Sequence, residues 1–504
     1  MAENSKTAAE NKADLRRWLV AFAAIAIVIL YFSGLGIPLV GPDEPRYAQV
    51  AREMFERSDW ITPTLGGYNW FEKPALLYWV QIASYHIFGV SEFSARFGSA
   101  LFGLGTIVAL WIIARWSETN GERARFANWT ALIAASTLGI IVFSRGASFD
   151  IILTFPITAA LAGFFVYERS VTDIHRYASL AAFYFFIGVA VLAKGLVGFV
   201  FPIATVALYY ALTLTVPKRA FIFSLIWGTT LAVAVAGLWY GPMYQRHGYA
   251  FIDEFFIQNH FQRFTSNKFF HPQPFYFFLW VLPLMLIPWL PFFVAAVWTW
   301  IRTALANREA QAEGGSDNRL RIFAAAWIAV PLVFFSFSGS KLPGYILPAV
   351  PGALLLTSDF IFQYIRENRN RERSVFALAF ATFGAVVLAL IFAVPQFADT
   401  DTVKHLIATA DERGFREASV IGLHTTSHNA EFYAAGRLPR TDDGRQKRLL
   451  GPAEVLAEVR ERNGQPVLVL VPLEYLDQLR NADFLDVKVI RDNGELAIAA
   501  VAEK

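Results

Sequence analysis

The chain alternates between long apolar runs and short polar segments. A helix crossing a hydrocarbon core about 30 Å thick needs roughly 17–25 apolar residues. Runs of that kind fall at 17–37, 93–114, 126–143, 150–167, 177–193, 196–216, 220–240, 275–300, 322–338, 344–364 and 375–395. Only Lys194 and Gly195 separate the runs at 177–193 and 196–216, which predicts a helical hairpin with a tight turn. The run 275–300 holds Pro283, Pro288 and Pro291, so a kink is expected there. The first run follows Arg16 and Arg17 and is long for a signal sequence, so it reads as an uncleaved first span.

Two shorter patterns interrupt this rhythm between residues 38 and 92. Tyr47, Val50, Ala51, Met54 and Phe55 recur at i, i+3, i+4, i+7 and i+8, which predicts a helix over 43–57. Asp43 suits its N-cap and Pro45 its first turn. The opposite face carries Gln49, Arg52, Glu53, Glu56 and Arg57, with Arg52–Glu56 and Glu53–Arg57 spaced as ion pairs. A helix so divided lies in a membrane interface rather than across it. After a Gly66-Gly67 turn, Tyr68-Asn69-Trp70-Phe71-Glu72-Lys73-Pro74 leads into an apolar helix, 75–88, too short to span. The two helices are expected to roof the bundle, with Asp43, Glu44, Arg46, Glu72 and Lys73 at the edge. A lone Asp before a helix is commonly only a cap. Five charges at two helix starts in one loop argue for a site.

The pattern changes again near residue 396. Val420–His424 and Pro466–Val471 read as short buried strands, and Ala453–Arg462 as a helix. Val487–Ile490 and Leu496–Val501 flank Asp492-Asn493-Gly494, a hairpin turn signal. The expected division is a membrane domain over 1–395 and a small soluble α/β domain over 396–504.

Composition agrees with this reading. The chain is 55% hydrophobic and only 17% charged, against about 25% charged in ordinary soluble domains. A net charge of +3 suggests no nucleic-acid partner, and the absence of cysteine excludes disulfides and thiolate chemistry. Charge position says more. Arg16 and Arg17, Arg115, Arg123 and Arg125, Arg169 and Arg176, Lys218 and Arg219, Arg302, Arg319 and Arg321, and Arg366 to Arg373 all fall on one side if the runs alternate. That side is cytoplasmic by the positive-inside rule. The loop 38–92, the segment 241–274 and the tail then face outward.

Arg145, Lys194 and Lys341 stand at outer span ends, against the trend. A basic group at such depth is costly without a partner unless it snorkels to lipid headgroups. Phosphate is the natural anion, since Arg offers a fork and Lys a point charge. Asp150 is either a simple ion-pair partner, close in sequence to Arg145, or a site residue. The segment 241–274 is rich in Phe and holds Arg246, His247, Asp253, Glu254, His260, Arg263, Lys268 and His271. It reads as an aromatic interfacial loop or a lid over a lipid-and-sugar cavity. Its His spacing fits no standard metal motif. Glu72 with one of these histidines, such as His271, is the candidate pair for a divalent metal.

Asp43-Glu44-x-Arg46-Tyr47, Arg52-Glu53-Met54, Asp59-Trp60 and Phe71-Glu72-Lys73-Pro74 with Tyr78-Trp79 closely resemble the bacterial lipid A aminoarabinose transferases and their relatives. These sit in the protein O-mannosyltransferase-like group of GT-C glycosyltransferases. Ser340-Lys341-Leu342-Pro343-x-Tyr345-Ile346-Leu347-Pro348 resembles the late motif of the same family. The resemblance covers 1–395. It implies a polytopic α-helical membrane protein of GT-C type with about eleven to thirteen transmembrane helices and a small C-terminal periplasmic α/β domain. Such a chain sits in the bacterial inner membrane with its N-terminus cytoplasmic. It implies an inverting enzyme that takes a sugar from a polyprenyl-phosphate (undecaprenyl-phosphate) carrier and passes it to lipid A, another envelope glycan or a protein. No cofactor is required for this.

The resemblance assigns catalysis to Asp43, with Glu44 and Asp150 as further candidates. It assigns the carrier phosphate to Arg46, Lys73 and Lys194, to which the misplaced Arg145 and Lys341 are added. Tyr47, Trp70, Glu72, Tyr345 and Arg263 are expected around the cavity. The sugar itself is not identified. Two other classes compete. A transporter or flippase often shows inverted repeats and broken midplane helices, and neither is seen here. A non-catalytic scaffold leaves the loop charges unexplained.

Overall fold

The computed structural model describes residues 18, 20–117, 121–262, 272–306, 316–366 and 368–504. Arg16, Arg17, Arg263, Lys268 and His271 lie outside these residues, as does the side chain of His260.

In chain order the elements begin with α1 (Val20–Phe32), α2 (Asp43–Glu56), β1 (Thr64–Leu65), β2 (Tyr68–Asn69), α3 (Leu76–Phe88), α4 (Glu92–Trp116), α5 (Arg123–Ala135) and α6 (Leu138–Phe143). Next come α7 (Phe149–Arg169), α8 (Asp173–Lys194), α9 (Val197–Thr213), α10 (Arg219–Phe251), α11 (Phe277–Met285), α12 (Leu290–Ala306) and α13 (Ser316–Ser336). A 3-10 turn, Pro343–Ala349, leads into α14 (Val350–Arg366) and α15 (Arg369–Leu388). The tail holds α16 (Val394–Asp401), α17 (Lys404–Ala410), β3 (Val420–Leu423), α18 (His428–Tyr433), β4 (Arg448–Leu449), α19 (Pro452–Glu461), β5 (Val467–Pro472), α20 (Leu476–Arg480), β6 (Leu485–Asp492) and β7 (Leu496–Glu503).

Seven helices among the described residues are long and apolar enough to cross a bilayer, and the pair α11–α12, bent by 120°, is a broken span or a re-entrant loop. The chain is a multi-pass membrane protein. Among the described residues each apolar run overlaps a helix or a helix pair, those at 17–37 and 196–216 giving the shorter apolar helices α1 and α9. The run 126–143 is broken into α5 and α6. There the Ser136 and Thr137 hydroxyls bond back to the carbonyls of Leu132 and Ile133, and the Leu138 N–H leaves the helix for the Ile287 carbonyl. The second difference is at 241–262, expected as a loop. Here α10 continues to Phe251, and a π-helix follows over Ile252–Gln262. Gly248, at φ +56°, turns the chain so that Phe251 and Phe255 pack edge-on against buried Trp239.

Contacts divide the chain into two compact units. The first comprises residues 1–33, 72–76 and 97–387. Its central helices are α7 and the Pro343–Arg366 segment, whose most apolar stretches are 83% and 89% buried. Arg219–Asn259 and Arg369–Asp401, at 22% and 17%, leave most of their apolar surface uncovered by protein, as lipid-facing spans do. Small residues let helices approach: a Cβ on Gly163 would meet the Ser179 carbonyl of α8 at 2.8 Å, and one on Gly188 the Ala232 carbonyl of α10 at 2.7 Å. The α8–α9 turn forms as expected, with Gly195 in a positive-φ conformation directly after Lys194.

The second unit comprises residues 34–71, 77–96 and 388–504. The first loop and the tail therefore fold together. The tail's sheet runs β4-β3-β5-β7-β6, with β3 parallel to β4 and β5, and β7 antiparallel to β5 and β6. Alternation along β5 and β7 separates two cores. Val467, Val469, Val471 and Ala499 pack with Val455, Val459 and Leu479, while Leu468, Leu470 and Ile498 pack with Leu406, Ile407 and Ala430. This is the expected small α/β domain. Its α18 packs on α2 of the first loop. Gly66 of the β1–β2 turn lies against the Arg440 guanidinium, which itself holds the buried Glu431 carboxylate.

Candidate active site

In the second unit the charged residues gather at the start of α2. Asp43 is the first helical residue, not the cap. Pro42 occupies the N-cap position and offers no side-chain acceptor. Asp43 and Glu44 still sit in the first turn, where the helix dipole favours negative charge. The Asp43 carboxylate accepts from Arg46 at 2.5 Å, and its side chain stays 52% exposed. Arg46 also donates to the Pro42 carbonyl at 2.8 Å and lies 5.8 Å from the Trp70 ring centroid. Tyr47 points inward and is buried.

Glu44, one residue on, faces the other way. It forms an ion pair with Arg96 at 2.6 Å, with side chains only 12% and 5% exposed. Arg96 further donates to the carbonyls of Leu35, Ile37 and Pro38. The segment before α2 is held on its N–H side as well. Leu39 N–H donates to Tyr433 Oη at 2.8 Å, Val40 N–H to Glu44 at 3.1 Å, and Gly41 N–H to Asp401 at 2.7 Å. Tyr433 in turn donates to Glu92, which pairs with Lys404 at 2.5 Å. His428, on α18, lies within electrostatic range of the Asp43–Arg46 pair. Burial and the Arg46 guanidinium hold its imidazole below the ordinary value, with Asp43 acting in the opposite sense. Its Nδ1 is buried without a hydrogen-bond partner among the described residues.

In the first unit a different acid is paired. Asp150 lies in the first turn of α7, where its N–H donates to the Ser148 cap. Its carboxylate binds Lys194 at 2.5 Å, with side chains 18% and 17% exposed respectively. The sequence left Asp150 open as a simple partner of Arg145 or as a site residue, and here it holds Lys194. Arg145 donates to the carbonyls of Leu30 and Ser33, at the end of α1. Lys194 also lies 4.6 Å from the Tyr345 ring centroid. Gly344 lets the late motif come close: a Cβ there would fall 2.0 Å from Asp150 Oδ2. Lys341 is buried, and donates to the carbonyls of Ser338 and Gln273 at 2.6 and 3.0 Å. Desolvation lowers its amine from the ordinary value. Lys73 pairs with Glu72 at 2.9 Å. Among the described residues no group of three or more His, Asp or Glu side chains is arranged to hold a metal; His271 and Arg263 lie outside them.

Sequence reasoning missed Arg96, Tyr433, Asp401 and His428. Arg96 carried a signal, since it is a charged residue within the predicted span 93–114, and such residues have partners. The other three carried none, because the tail gave no sign of folding with the first loop.

A family model described as dolichyl-phosphate-mannose-protein mannosyltransferase matches residues 16–247. The undecaprenyl phosphate-alpha-4-amino-4-deoxy-L-arabinose arabinosyl transferase of Serratia proteamaculans is 29% identical over 380 residues, which cover 73% of this chain and 64% of that protein. The transferase of the same description from Yersinia enterocolitica is 27% identical over 428 residues, covering 82% and 73%. The crystal structure of ArnT from Cupriavidus metallidurans bound to undecaprenyl phosphate matches with a TM-score of 0.77 at 23% identity, over 96% of this chain and 98% of that one. The chain has that fold, and in sequence it resembles the aminoarabinose transferases among the GT-C glycosyltransferases.

Proposed function

We propose that this protein is a glycosyltransferase. It moves a sugar from an undecaprenyl-phosphate carrier to lipid A or another envelope glycan, at the outer face of the bacterial inner membrane. The residues matched by the mannosyltransferase family model, 16–247, include both first-loop motifs and the Asp150–Lys194 pair, and that coincidence carries the reading. The relatives' donor, undecaprenyl phosphate bearing 4-amino-4-deoxy-L-arabinose, is the first sugar to test. The N-terminus lies in the cytoplasm and the α/β tail, 396–504, in the periplasm, as the charge pattern requires.

An oxygen of the acceptor attacks the anomeric carbon of the donor. The bond from that carbon to the carrier phosphate breaks, and undecaprenyl phosphate leaves with inversion at carbon. Its developing charge is the main electrostatic demand, and preorganised cations meet it. We assign Arg46, Lys73 and Lys194 to that role, with Tyr345 beneath Lys194. Asp43 is the catalytic carboxylate. For a hydroxyl acceptor it takes the proton as general base. For a phosphate acceptor, already ionised, it orients the acceptor and balances charge. Glu44 serves the fold through Arg96 rather than the reaction. Asp150 orients Lys194. Lys341 and Arg145, engaged with backbone carbonyls, shape the surrounding helices. A protein hydroxyl as acceptor is the second reading, and the match to a protein mannosyltransferase family favours it.

Mass spectrometry of lipid A, surface glycans and membrane proteins, in cells with and without the chain, tests the reading. A sugar lost from lipid A or a glycan on deletion supports it. Loss only from proteins selects the second reading, and no change in any fraction overturns both.

A further inference from the structure

We infer that the C-terminal tail is a working part of the active site: Tyr433 and Asp401 are positioning residues for Asp43. The inference rests on the assignment of Asp43 as the catalytic carboxylate. The segment 38–41 feeds directly into α2 and has no regular structure of its own. Backbone of that kind moves unless its polar groups are held.

Here three successive N–H groups are all taken. Leu39 donates to Tyr433 Oη, Val40 to Glu44, and Gly41 to Asp401 Oδ2. Two of the three acceptors come from the tail. Each is braced in turn. Tyr433 donates to Glu92, which Lys404 also binds, and the Asp401 carbonyl accepts from the buried Asn429 side chain. On the other side Arg96 gathers the carbonyls of Leu35, Ile37 and Pro38. The Asp43 carboxylate itself is paired locally with Arg46 and is half-exposed. Its place is therefore set by the backbone beneath it, and the tail fixes that backbone. No sequence pattern links residue 433 to residue 39. The packing of α18 on α2 supplies the link.

The test uses the full-length protein in detergent and three variants: Tyr433→Phe, Asp401→Leu and Asp401→Asn. Amide hydrogen exchange is measured over 38–44, and kcat and KM are measured with an undecaprenyl-phosphate-linked aminoarabinose donor. Tyr433→Phe and Asp401→Leu are expected to speed exchange at Leu39 and Gly41 respectively. Both should lower kcat roughly 10–100-fold, the range for a displaced catalytic group, with donor KM little changed. Asp401→Asn keeps an acceptor oxygen and should restore both readouts. Unchanged exchange in Tyr433→Phe and Asp401→Leu overturns the inference, as does faster exchange with unchanged kcat. If the wild type turns over no lipid-linked sugar, the proposed function fails, and the exchange data alone decide whether the tail holds the segment.

Discussion

The helices α2 and α7 each carry in their first turn an acid that binds a base, and the two pairs are built differently. At the start of α2, Asp43 binds Arg46 three residues along the same helix and remains half-exposed. At the start of α7, Asp150 reaches across 44 residues to Lys194, and both side chains are largely covered. A local pair in water contributes little to stability, on the order of 0–1 kcal/mol. The Asp43 carboxylate thus costs little to release for a substrate. A covered pair is expensive to break, because the remaining charge is left without a partner. Asp150 is suited to holding Lys194 in place, and Asp43 to changing partners during a reaction. Glu44 sharpens the contrast, since it is adjacent to Asp43 but largely covered and paired with buried Arg96.

The largest expected effect falls on Asp43. Asp43→Asn keeps the shape and removes the charge, and should lower transfer about 10²–10⁴-fold where a general base is needed. Thermal unfolding in detergent should change little. Lys194→Ala comes next. Steady-state kinetics should show turnover reduced roughly 10²–10³-fold, the cost of one preorganised donor at a developing oxyanion. Asp150→Asn leaves Lys194 present but less fixed, so it should cost less and appear mainly in the KM for donor.

Glu44→Gln should break the pattern in the opposite direction. Uncoupling a buried pair costs about 3–5 kcal/mol. The thermal midpoint should fall, while protein that remains folded keeps most of its kcat. Equal stability of Asp43→Asn and Glu44→Gln would erase the distinction between the two acids.

Much of this was legible in the chain. Apolar runs marked the spans because a bilayer demands that every backbone group be satisfied within a helix. The motif acids and bases stood out because charges are rare in such a sequence. The break at Ser136–Thr137 was hidden, since both hydroxyls bond within their own helix and leave the apolar count unchanged. The helical path through 241–262 was hidden behind polar residues, and Gly248 and the Trp239 aromatic cluster direct it. At the site, Asp43 could be read from its neighbours. The fate of Glu44 could not, because Arg96 lies 52 residues away. His428 and Tyr433 sit on a six-residue helix, too short for a periodic signal.

The smallest expected effect concerns His428. Its imidazole is held below the ordinary value, by burial first and by Arg46 second. The native state then binds fewer protons than the unfolded chain as pH falls below about 6.5, so stability declines in that range. Thermal midpoints measured against pH should show this decline, and His428→Gln should flatten it. An unchanged profile in His428→Gln would remove His428 from the surroundings of the Asp43–Arg46 pair.

The most direct measurement is donor turnover by purified wild-type and Asp43→Asn protein in detergent. Each is supplied with undecaprenyl-phosphate-linked aminoarabinose and lipid A, and released undecaprenyl phosphate is quantified by mass spectrometry. If Asp43 carries the chemistry, the wild type releases the carrier, while the folded variant binds the donor and releases almost none. Release by Asp43→Asn at the wild-type rate would contradict the assignment.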